Sequence, residues 1–377
     1  MKNRIFLLII SVVIILGFSC SDNSQPGDPG STPYKYEAAI DSFVDSLIAV
    51  DSINGTVVGV WENLNSGFYL KAKGVADAVN KTTMLTDNKF CIASITKTFV
   101  AALVLQNIEE GKLKLSDKIS VYLPDSIVNR ICVKNIQSFG NSITIEMLLN
   151  HSSGIPDFED SLFLVDEAFL HPKRQWMPVE LIRYVIERNL QAYNIPNEGY
   201  HYSNTNYILL GIILENINGK PLHQQLRENI YTKAGITDAT MANYEPLTGI
   251  LSHGYFFDGT DVTDYNISWE WACGGIITSA EGVYRFIYNL THRNLFKSDT
   301  TYQRMINTAG YNFTTQCGLG IFNSVYNGTR IIGHSGGAIG YTSYMYYLPD
   351  KERFIVVLAN EYSSIVGAKI IDFLIRL

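Results

Sequence analysis

The sequence has no basic block: 29 lysines and arginines stand against 36 aspartates and glutamates, for a net charge of −7. A phosphate-rich partner needs a concentrated basic face, so no nucleic acid is expected as a partner. No two of the five cysteines stand at Cys-x-x-Cys spacing, so a zinc site is not expected, and no metal or organic cofactor is implied. No internal repeat is visible. Charged residues make up only 17% of the chain and hydrophobic ones 46%, which is a globular balance with ample material for a core.

What is present begins with a separate N-terminal object. Lys2 and Arg4 precede an almost unbroken apolar run from Ile5 to Leu16, then Gly17-Phe18-Ser19-Cys20. The run is too short for a comfortable membrane span and reads as an export signal. Cys20 at the cleavage point resembles the lipidated cysteine of a bacterial lipoprotein, although Phe18 departs from the usual pattern. Residues 21–35 are rich in Ser, Gly, Pro and Asp and have the composition of a flexible tether. The expectation is a signal over 1–20, a tether over 21–35 and one folded unit over 36–377. The mature chain would be held to the bacterial cell envelope by lipid. Cys91, Cys132, Cys273 and Cys317 then remain, most simply as buried free thiols.

Two strand-like runs, Thr56 to Trp61 and Phe68 to Val75, flank the turn at 63–67 and read as a hairpin. Apolar residues at three- and four-residue steps predict a helix over 94–110, ended by Gly111. A helix-rich middle follows, with Thr144 as a cap, Pro178 near a helix start and a helix over 204–217. Thr278-Ser279-Ala280-Glu281 matches a capping box. Strands are predicted over 320–325, 330–333, 341–348 and 353–358, and a last helix over 364–377. Strands at both ends around a helical middle predict an α+β fold, an antiparallel sheet flanked by helices with a helical subdomain inserted.

Three short stretches could carry chemistry. Ser94 and Lys97 stand three apart at a predicted helix start, so they share a face and the amine can reach the hydroxyl. A serine needs such a proton acceptor to become a nucleophile, and the helix dipole favours negative charge there. Tyr202-Ser203-Asn204 opens another helix. A tyrosine becomes a base only if a cation lowers its pKa, which Lys97 would do if the two meet. Gly333-His334-Ser335-Gly336-Gly337 lies between two predicted strands. Small residues there let a substrate backbone lie alongside, and His334 could supply positive charge.

Together with the stretches around His151, Gly274-Gly275 and Gly318-Leu319-Gly320, these resemble the serine β-lactamase and penicillin-binding-protein superfamily. The branch is that of class C β-lactamases and D-alanyl-D-alanine carboxypeptidases. The resemblance covers 42–377 and implies a β-lactamase/transpeptidase-like fold. It implies an acyl-enzyme on Ser94, with Lys97 and Tyr202 sharing the proton traffic as a coupled pair. Asn204 would bind the substrate's amide side chain. The backbone N–H groups of Ser94 and Gly337 would form the oxyanion hole. Ser335 would hold a substrate carboxylate, with His334 and Gly336 completing that wall. His151 matches a family loop without a catalytic role.

His334 stands where class C enzymes have lysine, so a carboxypeptidase-like enzyme, or a related amidase or esterase, is the expected function. The substrate would be a small molecule or peptide with a D-amino-acid amide or ester bond. A class C-like β-lactamase and a non-turnover penicillin-binding sensor lipoprotein are the alternatives. Specificity is expected from the loops over 158–177 and 244–271.

Overall fold

A computed structural model describes residues 34–51, 53–62, 67–159, 163–362 and 365–377. The signal, Cys20 and nearly all of the tether lie outside the described residues. The described residues begin at 34 and so include the last two of the expected tether. Tyr34 is buried and its hydroxyl donates to Glu62 at 2.9 Å, while Lys35 pairs with the same carboxylate at 3.2 Å.

The strands run Thr82–Thr83, Phe68–Asp77, Gly55–Trp61, Arg353–Ala359, Tyr341–Leu348, Thr329–Ala338 and Phe322–Tyr326 across one antiparallel sheet. The first and last thirds of the chain thus meet in the middle, where Val57 faces Leu358 and Val60 faces Ile355. Both central strands are buried along their whole length, because helices cover both faces. Side-chain alternation sorts them. Val58, Val60, Ile355 and Val357 pack under Glu37–Asp51 and Ile365–Arg376, whereas Val57, Phe354, Val356 and Leu358 join the larger core on the other side. The helix Glu37–Asp51 was not foreseen, since its polar positions lie close to the tether's composition.

That larger core holds Ile95–Glu109, almost wholly buried, and Asn204–Asn218, buried over most of its first three turns. Gly219, in the left-handed region at φ 61°, ends the second as the Asn-Gly pair suggests. Thr144 caps its helix as expected, accepting from the Met147 N–H at 3.3 Å. The capping box at 278–281 is displaced by one residue. Ser279 caps Ala280–Thr291, and the Thr278 hydroxyl donates instead to Asp238 at 2.9 Å. The four cysteines at 91, 132, 273 and 317 are buried and free.

Candidate active site

Ser94 sits at the N-cap of Ile95–Glu109, and the residue before it, Ala93, is held at φ 48°. A non-glycine residue in that region is strained and persists only where the surroundings fix it. Lys97 lies one turn along, fully buried, and its Nζ donates to Ser94 Oγ at 3.0 Å and to the carbonyl of Cys273 at 2.7 Å. The Cys273 carbonyl, on the short turn Trp271–Gly274, is a functional contact that no side-chain pattern could reveal. Tyr202 comes from the start of the Asn204–Asn218 helix, its ring 5.0 Å from the Lys97 ammonium. The three residues foreseen as the reacting set are therefore together.

Their protonation differs from expectation. Burial pushes the Tyr202 phenol up, and the Lys97 cation beside it offsets only part of that. Burial would lower Lys97, but Tyr202, Cys273 and Glu270 around it hold its pKa above the ordinary value. The resting pair thus carries both protons, a cationic lysine beside a neutral phenol, and Lys97 does not bring Tyr202 within reach of neutral pH. The Tyr202 hydroxyl is buried beside Lys97 and Ser94 but, among the described residues, makes no hydrogen bond of normal geometry.

His151 fixes that ring in place. Its imidazole stacks on Tyr202 with centroids 4.3 Å apart, and its Nδ1 accepts the Ser203 N–H at 3.1 Å. Burial depresses its pKa, so it is neutral. It is a positioning residue.

The Thr329–Ala338 strand forms the opposite wall. It pairs with Tyr341–Leu348 as far as Ala338, but with Phe322–Tyr326 only up to Gly333, so among the described residues its outer edge is unpaired from His334 onward. A Cβ on Gly336 would stand 2.5 Å from the carbonyl of Ile92 and 2.9 Å from the Ala93 side chain. Only glycine lets the strand pass so close to the nucleophile's own segment, and Gly337, exposed, follows directly. His334 points toward Tyr202, at 6.4 Å between ring centroids. Burial, reinforced by the Lys97 charge, depresses it to about 3, so it is neutral and brings no positive charge to a substrate carboxylate. Its Nδ1 lies 2.5 Å from the Ser335 carbonyl and must therefore carry the ring proton. Ser335, of opposite parity on the strand, lies beside the Tyr346 phenol and not beside the reacting set.

Asn204 also departs from expectation. Its Nδ2 donates to Asp157 Oδ2 at 3.2 Å and to Glu159 Oε2 at 2.7 Å, so both amide hydrogens are spent inside the protein. Asp157, Glu159 and Glu270 were not singled out from the sequence, although the last two fall in the two loops expected to set specificity. Burial raises the pKa of all three, and Glu159 is raised further by Glu270 and Asp157.

A serine at a helix start, a buried lysine one turn along and an open strand opposite define a serine hydrolase that works by acyl transfer. The Beta-lactamase family model matches residues 40–377, and the chain belongs to that family. It is 26% identical over 341 residues to Penicillin-binding protein 4* of Bacillus subtilis, covering 85% of this chain and 71% of that one. It is also 26% identical to Protein flp of Staphylococcus aureus, of whose length it spans 64%. Among solved structures it is similar to a D-stereospecific amidohydrolase from Streptomyces, with a TM-score of 0.77, 24% identity and coverage of 89% of this chain and 97% of that one. The D-amino acid amidase of Ochrobactrum anthropi, in complex with L-phenylalanine amide, gives a TM-score of 0.77 at 23% identity, covering 89% and 96%. These likenesses bear out the α+β, β-lactamase/transpeptidase-like fold.

Proposed function

We propose that Ser94 is acylated by the amide or ester bond of a small D-amino-acid derivative, which water then releases as the acid. The observation that carries this reading is the Lys97 Nζ contact to Ser94 Oγ at 3.0 Å inside a buried site. In acylation the serine oxygen bonds to the carbonyl carbon and the bond to the leaving nitrogen or oxygen breaks. Once the Lys97–Tyr202 pair has given up one of its two resting protons to solvent, it takes the serine proton and passes it to the leaving group. The N–H groups of Ser94 and Gly337 hold the developing oxyanion. Water then takes the serine's place on the carbonyl carbon, and its proton returns to Ser94 by the same pair.

Two features favour an amidase or esterase over a carboxypeptidase. A carboxypeptidase must hold a substrate's terminal carboxylate, and His334 is uncharged where that cation would stand. The similarity to a D-stereospecific amidohydrolase and a D-amino acid amidase points the same way. The N-terminal sequence further supports export and lipidation at Cys20, which incorporation of an alkynyl fatty acid into wild type but not Cys20→Ala would check.

The test of Ser94 is covalent labelling by a fluorophosphonate probe and by fluorescent penicillin. Wild type is expected to label with the first, and Ser94→Ala with neither. Persistent labelling of the variant sinks the assignment. Rapid hydrolysis of benzylpenicillin by wild type would instead make it a β-lactamase.

A further inference from the structure

The acyl-binding side of the cleft presents acceptors where a β-lactam-type substrate would need a donor. With both Nδ2 hydrogens given to Asp157 and Glu159, Asn204 has only its carbonyl oxygen left. Asp157 is well served, since it also accepts the backbone N–H groups of Asn204 at 3.1 Å and Glu159 at 3.2 Å. Among the described residues, Glu159 accepts the single Asn204 bond.

Glu270 is the independent observation. It arrives from a different segment and is 4% exposed. Its only hydrogen-bonding side-chain contact among the described residues is the Cys273 thiol, at 4.0 Å. Its carboxylate occupies the space over Gly274, where a Cβ would stand 1.8 Å from Oε2. It lies close enough to Glu159 for the two to repel. Lys97 is the cation whose field reaches Asp157, Glu159 and Glu270 alike, and its own donors are directed at Ser94 and Cys273. Ionised carboxylates buried without a partner are costly, which is why these groups hold their protons more tightly than usual, and a cation supplied from outside would let them ionise.

We infer that the missing cation is the substrate's own: the acyl donor carries a free, protonated amino group, seated against Glu159 and the Asn204 carbonyl with Glu270 nearby. An ammonium offers three N–H donors to a wall of acceptors. An N-acylated amine offers one N–H and brings a carbonyl that meets only acceptors. The enzyme is thus selective for amino-acid amides, esters or peptides with a free N-terminus, and it disfavours penicillins, whose side-chain nitrogen is acylated. This rests on the proposed acylation of Ser94.

The experiment uses the full mature chain and follows the rate of Ser94 labelling by a fluorophosphonate probe. Competitors are amides of D- and L-alanine and D- and L-phenylalanine, each beside its N-acetyl counterpart. At least one free-amine amide is expected to protect about tenfold better than its N-acetyl form, and Glu159→Gln to erase that difference while still labelling with the probe alone. Protection should also fade as pH rises through about 8, where an α-amino group loses its proton. Equal protection by the free and acetylated forms overturns the inference, as does a Glu159→Gln variant that retains the preference. Failure of wild type to label at all would remove the Ser94 reading itself, a different outcome from labelling without amine preference.

Discussion

Two buried glutamates in this molecule behave in opposite ways. Glu62, its side chain 7% exposed, accepts from Arg353 at 2.6 Å, from the Tyr34 hydroxyl at 2.9 Å and from Lys35 at 3.2 Å. Burial alone would raise its pKa, but those donors outweigh it and hold the carboxyl below its usual value. Glu270, 4% exposed, has a thiol at 4.0 Å, and burial pushes it up to about 7. Both side chains lie largely out of water, and what separates them is partnership. Where the protein only has to hold together, it supplies its own counter-charge. Along the cleft it leaves carboxylates without one, and that difference marks where a ligand belongs.

The largest effect should come from removing Lys97, the cation whose field reaches all three cleft carboxylates. Lys97→Met takes away both the proton partner of Ser94 and the charge that eases Glu159 and Glu270. Acylation by the fluorophosphonate should slow by about 10²–10⁴-fold, the usual worth of a positioned proton-transfer group. In wild type the same rate should climb as pH rises above 7, because Lys97 and Tyr202 both start protonated and one must lose its proton to act as base. A flat profile, or a Lys97→Met variant that labels at the wild-type rate, would break the link between the cleft's charge and its chemistry.

Next in size is the partnered glutamate. Glu62→Gln leaves Arg353, its side chain 3% exposed, without its counter-ion under the 37–51 and 365–376 helices. Breaking a buried pair from one side costs about 3–5 kcal/mol. The urea midpoint should fall accordingly, with acylation of Ser94 unchanged. Because the Glu62 pKa is lowered in the fold, its contribution is present above the unfolded carboxyl pKa and is lost as pH falls through the folded one. The variant's deficit should therefore shrink in acid.

The same contrast explains what could be read in advance. Ser94 and Lys97 are legible because their meeting is local, three residues on one helix. Gly336 is legible as a small residue beside a strand, though not the Ile92 carbonyl it must clear. The long strands are readable to within a few residues because a short apolar, β-branched run is also a local signal; the stretch 333–337 reads as lying between strands and is inside one, since its glycines hide the pattern. What failed were properties set by surroundings. His334 was expected to bring charge and is neutral, and Asn204 was expected to face a substrate and instead faces Asp157 and Glu159. Burial and partners 45 or more residues away decide both, and no short spacing encodes them.

The smallest effect, and the sharpest test, is the opposite substitution in the cleft. Glu270→Gln replaces a buried carboxylate that lacks a counter-ion with a neutral group of the same shape. Its pKa of about 7 lies above that of an unfolded glutamate, so between those two values the folded state binds more protons than the unfolded one. Stability must then fall as pH rises through that window, with the full cost present above it. The variant should be more stable than wild type by about 1–3 kcal/mol at pH 8 and nearly equal to it at pH 4. That trend is the reverse of Glu62→Gln, whose effect is a loss and is largest away from acid. The gain should come at the expense of protection by free-amine amides, since the carboxylate that costs stability is the one an ammonium would satisfy. Thermal unfolding of both variants across pH decides it: if Glu270→Gln destabilises at pH 8, Glu270 has a partner inside the protein, and the contrast between the two glutamates is lost.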